Sequence, residues 1–298
     1  MRVVVSGSSG LIGTALVAHL REGGHDVLRL VRREPSAPDE RGWDPPAGRI
    51  DHGTFDGVDA VVNLGGAGIA DRPWSGARRQ ALRDSRIVPT EVLAAAVAEH
   101  GVPTLVSGSA VGYYGNAGGV AVDESAPPGS GFLADLTRDW EAATRAARDG
   151  GARVVTLRTG LVLSPAGGLM GPLKLVYKFG LGGKIGSGTQ YMPWISLDDE
   201  VGAIRFLLED AGADVSGPVN LTGPQPVTNA DFTAALARAV HRPALFSVPA
   251  AVLRALGAQG EEMLLYGQRA VPAKLEAAGY RFRHATLEEA LAAALGSA

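Results

Sequence analysis

Val3-Val4-Val5-Ser6-Gly7-Ser8-Ser9-Gly10-Leu11-Ile12-Gly13 is the stretch of this 298-residue sequence that decides its fold. The β-branched run Val3 to Val5 reads as a buried strand, and Gly7 permits the tight turn that must follow it. Gly10 has no Cβ to bar the approach of a phosphate, and Gly13 lets the next helix pack closely. That helix is expected over 11–22. Its unpaired N–H groups and positive dipole end point back at the turn, where they favour an anion. Gly23-Gly24 stops the helix, and 26–31 reads as a second strand. Glycines also mark ordinary turns, but strand, glycine turn, helix and strand in this order describe a cradle for a dinucleotide pyrophosphate. Gly7, Ser8, Ser9, Gly10, Leu11, Ile12 and Gly13 are therefore the first candidate ligand-binding residues.

The tip of the second strand speaks to which dinucleotide. An NAD site places a carboxylate about 20 residues beyond the glycines, to accept hydrogen bonds from the ribose hydroxyls. Here the strand runs Leu30-Val31-Arg32-Arg33. Two guanidiniums suit the extra 2′-phosphate of NADP, because Arg pairs with phosphate in a bidentate manner. Arg32 and Arg33 thus favour NADP(H) over NAD(H), although Glu34 stands close by and a solvated strand end would look the same.

Composition limits the alternatives. With 28 basic and 31 acidic residues the formal charge is −3, which is not the balance of a nucleic-acid or anionic-membrane binder. There is no cysteine, so disulfides, thiolate metal sites and cysteine nucleophiles are excluded. His19, His25, His52, His100, His241 and His284 show no paired ligand spacing, and no metal site is expected. No apolar run reaches 18 residues without Gly or charge, and the opening residues read as a strand rather than an export signal, which makes the cytoplasm the expected location.

Short apolar runs at 2–6, 26–31, 59–64, 103–107 and 153–158 alternate with helical patterns near 11–22, 76–100 and 132–149. This is the rhythm of an α/β chain with a doubly wound parallel sheet. A third strand must lie within the proline-rich 34–56 stretch, where periodicity does not place it. After Gly160 the sequence turns glycine-rich, then gives a helix near 198–209, a strand at 219–222 and a helix at 229–240. Leu253, Leu256, Met263, Leu264, Leu275, Leu287, Leu291 and Leu295 then recur at helical spacing. The expected division is a nucleotide-binding domain over 1–165, with sheet returns near 194–240, and a smaller, mostly helical C-terminal region over 166–298 on the substrate side.

Further motifs carry a resemblance. Asn63-Leu64-Gly65-Gly66-Ala67 follows a strand, Val106 to Ala110 precedes Tyr114-Gly115, and Trp194-Ile195-Ser196-Leu197-Asp198-Asp199 comes later. Together with the first glycine turn they resemble an extended short-chain dehydrogenase/reductase. The stretches Trp74 to Ile87, Ser109 to Gly115, Asp139-Trp140-Glu141, Gly182 to Gln190, Leu264 to Arg269 with Pro272, and Gly279 to Phe282 narrow the likeness. They resemble the "epimerase family" branch of the NAD-dependent epimerase/dehydratases, which carries its own C-terminal domain. The resemblance implies a Rossmann-type domain, a nicotinamide cofactor at the glycine turn and a small-molecule substrate. It adds Asn63, Leu64, Gly65 and Gly66 to the cofactor-binding candidates. Arg158, at the tip of the 153–158 strand, joins them. Related folds often dimerise, so a homodimer fits.

In that superfamily the resemblance further implies a Ser or Thr, then a Tyr four residues before a Lys, the Lys aiding proton exchange at the phenol. Ser109 matches. Counting back from Glu141, the Lys position falls at Thr137 and the Tyr position at Leu133, and neither can act. The first lysine anywhere is Lys174. Two readings stay open. One is an NADP(H)-dependent oxidoreductase or epimerase-like enzyme with Ser109, Tyr113 and Tyr114 as its catalytic candidates. The other is an NADP(H)-binding protein that has lost catalysis and serves as a regulator or sensor. Lys174, Lys178 and Lys184 in the glycine-rich stretch suit an anionic substrate, or are merely solvated. Asp198 reads as a helix cap, and Asp123-Glu124 as a solvated turn.

Overall fold

The computed structural model describes residues 1–168 and 170–296. The chain divides into two compact units. Unit 1 is Met1–Ser109, Leu136–Leu157 and Val201–Val219, and unit 2 is Ala110–Asp135, Arg158–Glu200 and Asn220–Ala298. The chain passes between them several times.

Unit 1 is built around an eight-stranded sheet. Its strands are β1 (Arg2–Ser6), β2 (Asp26–Val31), β3 (Glu40–Asp44), β4 (Arg49–Ile50), β5 (Ala60–Asn63), β6 (Thr104–Ala110), β7 (Arg153–Thr159) and β8 (Gly217–Leu221), in the order β8-β7-β6-β5-β1-β2-β3-β4. Strand β1 pairs in parallel with both β2 and β5, so the order reverses there. In an open α/β sheet that switch point is where ligands bind. Helices α1 (Leu11–Glu22) and α2 (Gly76–Glu99) connect the strands. Val4, Leu28, Leu30, Trp43, Val61, Leu93, Val97 and Leu105 form one buried cluster between sheet and helices.

Expected and observed elements agree to within a residue or two except at three places. The unplaced third strand is β3, whose pairing with β2 sets Arg29 beside Glu40 and Val31 beside Gly42. Trp43 is its one buried apolar side chain, so no alternation betrayed it. Strand β6 runs on to Ala110 through the small residues Gly108, Ser109 and Ala110. The helix expected over 132–149 is two, α3 (Phe132–Ala142) and a short helix at Arg145–Asp149. Thr144 interrupts it by donating its hydroxyl to the Glu141 carbonyl at 2.7 Å.

Unit 2 holds only the first turn of α4 (Leu197–Leu208), and all of α5 (Asn229–Ala239) and α6 (Leu287–Leu295), together with short strands that no sequence pattern announces. Residues 161–163 pair in parallel with 194–196, and 183–185 with 246–248. Helices α5 and α6 each begin with a capping box, on Thr228 and on Thr286. Met170, Tyr177, Trp194, Phe232, Leu236, Leu287 and Leu291 make the core of this unit. No helix among the described residues is long and apolar enough to cross a membrane.

Candidate functional site

The glycine turn in unit 1 has the geometry its sequence suggests. Gly7 sits at φ +71°, which an L side chain rarely adopts, and a Cβ there would fall 2.7 Å from the Leu64 carbonyl carbon. A Cβ on Gly13 would lie 2.2 Å from the Gly7 oxygen, so helix and turn touch backbone to backbone. At Gly10 the situation differs. A Cβ there would meet only the Gly7 oxygen, at 3.3 Å, so the outer side of this residue is open. No side chain caps α1 and its first turn has no acidic residue. The orphan N–H groups at that helix end can therefore take a phosphate.

The two arginines at the end of β2 have different fates. Arg33 is bound to Glu40 by two hydrogen bonds of 2.6 and 2.8 Å, and the Glu40 side chain is buried. With the Ser36 N–H as a second donor, Arg33 holds the Glu40 carboxyl down at about 2. Neighbouring Asp39 accepts from Arg29 and Arg21, which keeps it well below the usual carboxylate range. Arg32 is exposed and has no protein partner among the described residues.

Asn63 serves the loop from within. It accepts from the Ser6 hydroxyl at 2.7 Å and donates to Thr90 at 2.8 Å, fully buried, so it fixes Leu64, Gly65 and Gly66 behind the turn. Ser109 is also buried and donates to Glu141 of α3 at 2.7 Å. Thr137, in the lysine position, is buried.

In unit 2 the tyrosines that follow Ser109 gather around one cation. The Arg158 guanidinium lies 3.5 Å from the Tyr113 ring centroid and donates to the Tyr114 hydroxyl at 3.0 Å. The Tyr114 oxygen also lies 2.7 Å from Asn220 Oδ1 and 3.0 Å from the Asp123 carbonyl. Its single proton is thus committed inside the protein, and burial raises its pKa. Tyr113 is half-buried, and no protein group among the described residues binds its hydroxyl. Arg158 is 2 % exposed and stays within this cluster. Leu133, in the tyrosine position, packs against Gly112. Its N–H and that of Phe132 bind the carboxylate of Glu262 at 2.8 and 3.0 Å, which caps α3.

Two expectations for the acidic residues are corrected. Glu124 is not in a solvated turn; it is buried and accepts from the backbone N–H groups of Asn220 and Lys274. Asp198 is not the cap of α4. Ser196 is, accepting from the Asp199 N–H at 3.0 Å, while Asp199 itself receives the N–H groups of Arg283 and His284. Glu200, which no motif singles out, is fully buried with one oxygen bound by Thr159 and the other without a hydrogen-bond partner among the described residues. Burial pushes its carboxyl up to about 8.

Residues 3–222 match the model of the NAD dependent epimerase/dehydratase family, and residues 248–294 match a C-terminal domain of unknown function. The chain belongs to the NAD dependent epimerase/dehydratase family. An epimerase family protein of Mycobacterium bovis is 56% identical over 290 residues, covering 97% of this chain and 96% of that one. Human epimerase family protein SDR39U1 is 38% identical over 299 residues, covering 98% of each chain. A crystal structure of human SDR39U1 with NADPH superposes at TM-score 0.91 and 34% identity over the whole of both chains. A nucleoside-diphosphate sugar epimerase from Corynebacterium glutamicum superposes at 0.81 and 38% identity, covering 99% of this chain and 58% of that one. The family resemblance and the α/β sheet expected from the sequence are both shown by these matches.

Proposed function

We propose that this protein is an NADP(H)-dependent oxidoreductase or epimerase-like enzyme acting on a small molecule, with Tyr113 in place of the absent Tyr-x-x-x-Lys pair. The observation that carries the cofactor reading is an uncapped α1 behind Gly7, Gly10 and Gly13 together with Arg32 at the tip of β2, which has no partner among the described residues. The turn and the α1 N–H groups hold the diphosphate, and Arg32 the 2′-phosphate. The NADPH in the human relative supports the same choice. When bound, NADP(H) supplies or accepts a hydride at its nicotinamide carbon. Leu64, Gly65 and Gly66, set in place by Asn63, border the turn.

The chain's own residues must then handle the proton. Of the three catalytic candidates, Tyr113 alone keeps a hydroxyl that no protein group among the described residues claims. Arg158, stacked on its ring, positions it. Ser109 gives its proton to Glu141 and is left to accept a hydrogen bond, while Tyr114 anchors Arg158. Single-turnover oxidation of bound NADPH by a panel of carbonyl compounds and nucleotide sugars tests this. Tyr113→Phe lowers the rate roughly 100-fold, a typical loss for a removed proton donor, with NADPH affinity unchanged. Turnover that survives Tyr113→Phe removes Tyr113 from the mechanism.

The committed hydroxyls of Ser109 and Tyr114 favour a second reading, an NADP(H)-binding regulator without catalysis. The same assay separates the two, since in that case bound NADPH stays reduced with every compound.

A further inference from the structure

Among the described residues, every exposed large apolar side chain except Met1 and Val120 lies between positions 175 and 264, in unit 2. The helix at Met170–Lys178 turns Met170 and Tyr177 into the core of that unit. Its outer side carries two adjacent ridges, Lys174 with Lys178 and Leu175 with Phe179, each pair four residues apart. Phe179 continues the turn, its N–H bound to the Leu175 carbonyl at 3.3 Å. Leu181 follows, its N–H bound to the Val176 carbonyl at 3.1 Å, and the Gly182 carbonyl accepts from the N–H of Phe246 at 3.4 Å. Residues 183–185 then pair with 246–248, so the two stretches adjoin. Leu175, Phe179, Leu181, Leu245 and Phe246 are each at least 55% exposed.

Charge is segregated to the same place. The whole-chain balance of −3 hides it, because 159–197 and 232–260 contain no Asp or Glu, against three Lys in the first and three Arg in the second. Lys174, Lys178 and Lys184 are three of the four lysines in the chain, and none has a carboxylate partner among the described residues. Soluble proteins rarely leave large apolar groups together in water, and such a patch marks a contact surface. Charge selects the contact. A second copy docked through this face would set lysine against lysine. Protein interfaces favour Arg and are depleted in Lys, whereas this chain, with 24 Arg to 4 Lys, gathers its lysines here. The aliphatic stem of Lys can lie along an apolar layer while its ammonium stays level with anionic headgroups. We infer that this face of unit 2 docks on an anionic lipid surface, with Phe179, Leu181, Leu245 and Phe246 entering the headgroup boundary and the three lysines meeting the lipid charge. The contact is peripheral, since a face of this kind lies in the interface and does not span it. It rests on neither the cofactor nor the catalytic reading above.

The test is flotation of the full chain with vesicles of an equimolar mixture of phosphatidylcholine and phosphatidylserine, beside vesicles of phosphatidylcholine alone. The protein is expected to float with the mixed vesicles, much less with the neutral ones, and to be released as salt is raised. Lys178→Gln combined with Lys184→Gln weakens binding roughly 25-fold, about fivefold for each lysine. Lys178→Arg combined with Lys184→Arg keeps it within a few-fold. Phe179→Ser and, independently, Leu245→Ser weaken it at constant charge, roughly tenfold for a large apolar group withdrawn from the interface. All four side chains are exposed, so thermal midpoint and NADPH affinity stay as in wild type. Leu245→Ser keeps the test open if Phe179→Ser does not fold. A folded sample that floats with neither vesicle, or equally with both, overturns the inference. Binding that follows the lysines but ignores both serine variants would mean charge recognition alone, as by an acidic polypeptide, and overturns it as well. A dimer in sedimentation equilibrium that Phe179→Ser dissolves would put a second copy on this face and overturn the lipid docking.

Discussion

Arg32 and Arg33 stand side by side in the sequence, and the structure assigns them different work, which makes their separate removal informative. Arg33 is tied to buried Glu40 by two hydrogen bonds, whereas Arg32 has no partner among the described residues. A hydrogen bond to a charged group contributes about 1.5–3 kcal/mol, which is roughly 10- to 150-fold in Kd. Arg32→Ala is therefore expected to weaken NADPH binding by that factor. NADH lacks the 2′-phosphate, so its affinity stays within about twofold, and the thermal midpoint does not move because no internal contact is lost. Arg33→Ala behaves in the opposite sense. It strips Glu40 of its main partner, leaving Arg29 and the Ser36 N–H, and lowers stability with a smaller effect on NADPH. Since Glu40 is held low in the folded state, the stability that Arg33 adds is present above about pH 4.5 and fades as the pH falls toward about 2. The assay is nucleotide fluorescence titration at one fixed ionic strength, with thermal unfolding in parallel. Equal losses of NADPH and NADH in Arg32→Ala, or no loss of either, would refute the reasoning.

Three further outcomes follow from the geometry. Gly10→Ala leaves the thermal midpoint nearly unchanged, because its methyl meets only the Gly7 oxygen at 3.3 Å, but weakens NADPH binding by blocking the phosphate; retained affinity would place the cofactor elsewhere. Gly13→Ala drives a methyl to 2.2 Å from the same oxygen and is expected to cost roughly 1–3 kcal/mol of stability as overpacking does, along with nucleotide binding, both read by urea unfolding and titration. Glu200 is protonated in the folded protein below about pH 8 and ionised in the unfolded chain above about pH 4.5. Its burial thus becomes progressively destabilising as the pH rises from about 4.5 to 8, by an amount on the order of 5 kcal/mol. Glu200→Gln removes that dependence, so unfolding free energies at pH 5 and pH 9 should draw together relative to wild type; an unchanged slope contradicts the assignment.

How far the sequence could be read depended on whether structure followed local pattern. The strand, glycine turn and helix from Val3 to Glu22 are visible because backbone sterics alone select those residues. Strand β3 was not, since it has one buried apolar side chain and takes its place from pairing with β2. The site divides in the same way. Leu133 and Thr137 announced the missing acid–base pair by residue type. The difference between Arg32 and Arg33 depends on Glu40, seven residues past Arg33 and across a proline-containing loop. Glu124, Glu200 and Glu262 draw their importance from burial and from backbone groups distant in sequence, which no spacing records.

The most direct test is equilibrium titration of the wild-type chain, shown to be folded by circular dichroism, with NADPH and NADH in parallel. The account predicts saturable binding of NADPH at one site per chain, at least tenfold tighter than NADH. A folded sample that takes up neither nucleotide, or that prefers NADH, contradicts it.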